Sequence, residues 1–235
     1  MSQVAVIAGV GPGLGASIAR KFAGEGLEVA LLARTESYIE TLAEDLPTRA
    51  AAVPTDLADA DDVDAAFVAV QEELGPVDVL VNHASGAAWS GIRDGTAETF
   101  ERAWRVAVRG GYACSAAVVD GMVERGEGTI VFTGATSGVR GRAGAAGFAS
   151  AKFAVRGLAQ SMAQELGPEG VQVAHVVIDG QIRPPTGVES TGRGDETFLD
   201  PDDLAEVYWT LVEQDASTMT FEVHVTNGYR EIEFL

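Results

Sequence analysis

Cysteine is nearly absent. Cys114 stands alone among 235 residues, so no disulfide can close within the chain. In its Ala-rich stretch it reads as a small buried hydrophobe rather than a reactive thiol. Lysine is almost as scarce, with only Lys21 and Lys152. Asp and Glu number 35 against 16 Lys and Arg, a net charge of −19. Such a surface repels nucleic-acid phosphates and anionic membranes, so neither is expected as a partner. It is tolerable where salt screens self-repulsion, over about 3 Å at 1 M. A halophilic, salt-adapted source is therefore expected, with an ordinary acidic protein as the alternative. No apolar run approaches the ~20 residues of a membrane-spanning helix. Met1-Ser2-Gln3 leads straight into an apolar run, without the flank and cleavage site of a signal peptide. A cytoplasmic protein with no metal site is expected.

What is present is apolar and glycine-rich: 46% hydrophobic residues and 28 glycines. A chain of this length suits one domain, 1–235, with a buried core. Apolar runs predict strands near 3–8, 28–33, 50–54, 77–82, 128–133, 171–178 and 220–225. Helices are predicted between them. In 59–74, Val63, Phe67, Val70 and Leu74 recur at helical spacing, as do Ala151, Val155, Leu158, Met162 and Leu166 in 148–166. Continuously apolar strands are covered on both faces. The expected class is α/β, a Rossmann-type doubly wound, mainly parallel seven-stranded sheet in a three-layer sandwich. The segment 179–200, rich in Gly, Pro, Thr and Asp, reads as a mobile substrate-side loop.

The first strand runs into Gly9-Val-Gly-Pro-Gly-Leu-Gly15 and then a helix. Glycines there allow a tight turn and let a pyrophosphate reach the backbone, while the helix N-terminus offers N–H groups and partial positive charge. Between a first strand and first helix this pattern predicts a dinucleotide. The spacing reads either through Gly9, Gly13 and Gly15 or through Gly11, Gly13 and Ala16. The second strand ends at Arg34. Its guanidinium can pair with a 2′-phosphate, which favours NADP; NAD stays possible, with Glu36 able to turn toward a ribose.

With these motifs the chain resembles the short-chain dehydrogenase/reductase family over roughly residues 3 to 180. The resemblance rests on Ala8-Gly9…Gly13-Leu14-Gly15, Asp56-Leu57, Val81-Asn82-His83-Ala84-Ser85 and Lys152, in order. It implies that Asp56 and Leu57 contact adenine and that Asn82 and Ala84 lie along the adenosine side. Lys152 would hold the nicotinamide ribose, and Gly180 and Ile182 would meet the carboxamide through their backbone. It also implies a homodimer or homotetramer built on the helices near 98–124 and 148–166, whose Ala113, Ala116, Ala117, Ala151, Ala154 and Ala159 would allow close approach.

The departures fall on the chemistry. The family takes its proton from a tyrosine four residues before the lysine; here that position is Phe148. The serine that bonds the substrate oxygen is Ala135, and the asparagine that anchors a water relay is Ala107. None of the three can donate or accept a proton. The resemblance thus implies an NADP(H)-binding oxidoreductase with a non-standard or absent proton relay, acting on an activated C=C. The alternative is a catalytically inactive NADP(H)-binding sensor or scaffold. Thr136, Ser137, His83 and Ser85 are candidate stand-ins, though local turn hydrogen bonds suit each of them as well. His175, within Val173-Ala-His-Val-Val177, reads as a satisfied core histidine.

Overall fold

The computed structural model describes residues 2–86, 88–185 and 198–228. The first half alternates strand and helix: β1 (Val4–Ala8), α1 (Leu14–Gly24), β2 (Glu28–Ala33), α2 (Glu36–Asp45), β3 (Ala50–Pro54), α3 (Ala60–Glu73) and β4 (Val79–Asn82). Next come α4 (Ala97–Trp104), a π-helical turn (Arg105–Arg109), α5 (Gly110–Arg125) and β5 (Gly128–Thr133). Then α6 (Ala146–Leu166), β6 (Val171–Asp179), β7 (Gln181–Ile182), β8 (Phe198–Leu199), α7 (Pro201–Val212) and β9 (Glu222–Thr226) complete the order.

Seven strands form one parallel sheet in the order β3-β2-β1-β4-β5-β6-β9. The order reverses direction between β1 and β4, and ligands in such sheets bind beyond the strand C-termini at that reversal. All five residues of β1 are buried, as a strand covered on both faces requires. Their parity divides them. Val4, Val6 and Ala8 pack with α3, α5 and α6, while Ala5 and Ile7 pack with α1, α2 and α7. Each layer thus buries its own core, roughly 2 kcal/mol for each fully covered large side chain such as Phe22 or Phe132.

Local chemistry sets the helix ends. Asp59 caps α3 by accepting from the Asp61 N–H, Thr96 caps α4 in a capping box with Thr99, and Asp200 caps α7 ahead of Pro201. Gly126, left-handed at φ 68°, stops α5.

The expected helix near 98–124 is interrupted. Its α-helical ladder widens into the π turn, and Ala107 sits buried inside that turn. Such turns often mark functional positions. Of the alanines expected on an outer face, Ala151 and Ala159 are instead buried within the chain's own core. Ala116 and Ala117 are exposed, and the large exposed apolar residues of α4, α5 and α6 are Phe100, Trp104, Tyr112 and Phe153. The segment 179–200 is pinned at both ends by the β7–β8 pairing, Gln181 with Phe198 and Ile182 with Leu199. Its central residues, 186–197, lie outside the described residues. Among the described residues no helix is long and apolar enough to cross a membrane, and no group of three or more His, Cys, Asp or Glu could hold a metal.

Candidate active site

The chain turns sharply between β1 and α1. Gly9 has φ of 107°, and a Cβ there would stand 2.6 Å from the Ala84 backbone. At Gly15 a Cβ would come within 2.9 Å of the Gly9 carbonyl oxygen. Glycine at these two positions lets the ends of β1 and β4 approach. Around Gly11 and Gly13 the space is open. α1 starts at Leu14 with no side-chain cap at Gly13 and no acid in its first turn. The Ala16 N–H bonds the Gly11 carbonyl at 3.2 Å, while the Leu14 and Gly15 N–H groups and the positive dipole end of the helix have no acidic side chain to satisfy them.

Arg34, at the end of β2, is exposed and makes no ion pair with any described residue. Asp56 is half-buried. Its carboxylate accepts from the Ala58 N–H at 3.1 Å, and its own N–H donates to Asp62. Leu57 is buried, with its carbonyl against Gly110. Asn82 donates to Ser115 Oγ at 3.1 Å from inside the sheet, and its Oδ1 has no partner.

Beyond the ends of β1, β4, β5 and β6 opens a cavity of about 1070 Å³. It brings Gly9, Ala84, Ala135, Phe148, Lys152, Gly180 and Ile182 together. Gly11, Gly13, Arg34 and Asp56 lie outside it, along the open cradle.

Lys152 is buried, and its Nζ donates to the Thr133 carbonyl at 2.7 Å. Burial pushes its pKa down to about 8. The Nζ stands 5.8 Å from the centre of the Phe148 ring. Trp89 stacks on that ring at 4.4 Å, closing an aromatic wall where the family resemblance expects a phenol.

On the opposite side of the sheet, His83 Nδ1 is hydrogen-bonded to Thr133 Oγ1 at 3.1 Å, and that hydroxyl to Tyr208 at 2.7 Å. Burial, with the Lys152 charge, lowers the His83 pKa to about 4, so the imidazole is neutral at pH 7. Thr136 donates to Asp179 Oδ1 at 2.7 Å, tying the end of β5 to the end of β6. Ser85 and Ser137 also line the cavity.

His175 departs from the expected satisfied core histidine. Its Nδ1 bonds Glu222 at 3.0 Å, but its Nε2 is buried without a partner and abuts Gly134. Arg156 clamps Glu222 bidentately at 2.7 and 2.9 Å. Burial pushes the Glu222 carboxyl up, yet the hydrogen bonds from Arg156 and His175 outweigh it and hold it at about 2.

Sequence reasoning misses three residues here: Trp89, Arg142 and Tyr208. Trp89 and Arg142 come from irregular segments without periodicity, and Tyr208 reads as one more apolar-face residue of α7. Only tertiary contact brings them to the site.

The short chain dehydrogenase family pattern matches residues 3–189. 2-(S)-hydroxypropyl-CoM dehydrogenase 3 of Xanthobacter autotrophicus is 30% identical, over 97% of this chain and 96% of its own length. An alcohol dehydrogenase from the archaeon Thermococcus sibiricus, complexed with 5-hydroxy-NADP, superposes with a TM-score of 0.90 at 26% identity over the whole of both chains. A metagenomic short-chain oxidoreductase in complex with NADP gives 0.84 at 26% identity, over 97% of this chain and 98% of that one. With this sheet order, an uncapped Gly-rich turn and a match over most of its length, the chain belongs to the short-chain dehydrogenase/reductase family of oxidoreductases.

Proposed function

We propose that this chain is an NADP(H)-dependent reductase of activated C=C bonds that works without a phenol proton donor. The observation that carries the reading is the pairing of an open nucleotide cradle with a cavity where Phe148 packs on Trp89 and Lys152 is the buried cation. The cradle fits the cofactor. The N–H groups of Leu14 and Gly15 would receive a diphosphate, Arg34, without an ion pair among the described residues, would take a 2′-phosphate, and Asp56, Leu57, Asn82 and Ala84 would line the adenosine path. Lys152, Gly180 and Ile182 would hold the nicotinamide end, and NADPH bound there would supply the hydride for the electron-poor carbon of an enone.

The chain's own task is then the proton. Lys152 Nζ is charged at pH 7 and, at about 8, gives up its proton more readily than an exposed lysine. It donates to the enolate that forms, and solvent restores it. One enone, one NADPH and one proton give the saturated carbonyl and NADP⁺. Ala135 and Phe148 offer no hydroxyl at the two positions where the family resemblance expects the serine and the phenol, which is why ordinary ketone reduction is not the proposal.

Three family positions without a proton-bearing side chain also favour a second reading, an NADP(H)-binding sensor or scaffold with no turnover. Stopped-flow NADPH oxidation with a panel of enones separates the two. The reductase reading expects turnover that falls as pH rises through about 8. NADPH binding without oxidation of any enone supports the sensor. Reduction of simple ketones by the double variant Phe148→Tyr with Ala135→Ser, against an inert parent, would trace the defect to the missing hydroxyls.

A further inference from the structure

We infer that the substrate of this cavity is an anionic amphiphile, an apolar body ending in an acidic group that Arg142 receives. The inference deepens the proposed function and rests on it for the site. The cavity walls include Trp89, Phe148, Ile178, Ile182, Pro184 and Phe198, an apolar surface suited to a hydrocarbon or aromatic body. Three charged residues line it among the described residues: Lys152, Asp179 and Arg142. Two of them are engaged. Lys152 donates to the Thr133 carbonyl and Asp179 accepts from Thr136. Arg142 is exposed and has neither ion pair nor hydrogen bond among the described residues. Lining the cavity while open to solvent, it stands where the cavity meets water.

In a chain of net charge −19, Arg142 is the one arginine that lines this cavity among the described residues, and it has no carboxylate beside it among them. It sits on the segment between β5 and α6, flanked by Gly141 and by Gly144 at φ 74°. A guanidinium there can take a carboxylate or phosphate oxygen pair bidentately while the apolar body packs on Trp89 and Phe148.

The test is calorimetric binding to the protein saturated with NADP⁺, using cinnamate, phenyl phosphate and the neutral cinnamamide. The variants are Arg142→Gln and Arg142→Lys, with Arg49→Gln as a control at the far end of the sheet. Native protein should bind an acid about tenfold tighter than the amide, the equivalent of one charge-assisted hydrogen bond. Arg142→Gln should bring acid and amide within about twofold, and Arg142→Lys should keep part of the preference. Whichever of cinnamate and phenyl phosphate binds tighter identifies the acidic group. Equal binding of acid and amide by native protein overturns the inference, as does a preference that survives Arg142→Gln. Loss of NADPH binding in Arg142→Gln overturns it too, by assigning the residue to the cofactor. An acid preference without NADPH oxidation supports this substrate class while refuting the reductase reading.

Discussion

Replacing Lys152 by methionine should make the protein more stable at neutral pH while abolishing its chemistry. Lys152 is 3% exposed, and among the described residues its Nζ has the Thr133 carbonyl as its one hydrogen-bond acceptor and no carboxylate partner. Burial lowers its pKa from 10.5 to about 8. That gap corresponds to roughly 3 kcal/mol spent on keeping the ammonium buried. The folded value lies below the unfolded one, so the sign is the reverse of the usual salt-bridged lysine. The cost is fully present below about pH 8 and fades as pH rises toward 10.5, because there the unfolded chain keeps a proton that the folded chain has released.

Methionine fills nearly the same volume without the charge but gives up the hydrogen bond to Thr133, worth about 1 kcal/mol. The net gain at pH 7 is about 2 kcal/mol, or about 5 °C in Tm for a domain of this size. At pH 10 the gain should have vanished. Urea unfolding of both proteins at pH 7 and pH 10 measures it. A variant less stable than its parent at pH 7, or a difference that is the same at both pH values, refutes the reasoning. NADPH oxidation by the variant should be lost at either pH.

Four further outcomes are expected. Arg34→Gln should weaken NADPH binding about tenfold and leave NADH binding unchanged, as titration calorimetry would read, because only NADPH carries the 2′-phosphate. Gly134→Ala should destabilise by more than about 2 kcal/mol in denaturant unfolding, since its Cβ would collide with the buried imidazole of His175, which the β6 backbone and the Glu222–Arg156 pair hold in place. Thermal stability should rise with KCl as the charge of −19 is screened; a protein most stable at low salt would remove the case for salt adaptation. Phe153→Glu should turn an oligomer into a monomer in light scattering, because Phe153 and Tyr112 expose apolar surface on neighbouring helices.

The strands were the most legible part of the fold. Buried parallel strands carry continuous β-branched runs, and such runs mark β1, β2, β5 and β6 without ambiguity. β4 is shorter than its run, beginning at Val79; Asp78 just before it still bonds both neighbours through its backbone, and its carboxylate also accepts from the Val4 N–H at 2.8 Å. The β7–β8 pair was hidden because two residues are too few for any period. The π turn at Ala107 was hidden because its residues match those of an ordinary helix. His175 was placed correctly in the core, but no pattern of letters reveals that Glu222 reaches one ring nitrogen while Gly134 blocks the other.

The sequence alone determined the class of sheet and the Gly-rich turn that opens it, and it set Phe148, Ala135 and Ala107 at the positions where the family resemblance expects a phenol, a hydroxyl and an amide. Those are properties of spacing along the chain: glycines at a βα turn, a lysine four residues past Phe148, alternation of apolar runs. Tertiary structure alone decided what surrounds them. The stacking of Trp89 on Phe148, the burial that pulls Lys152 to about 8 and the placing of Arg142 beside the cavity all depend on residues from different elements. Spacing encodes which groups are present, whereas charge, proton affinity and shape depend on neighbours that only folding brings together.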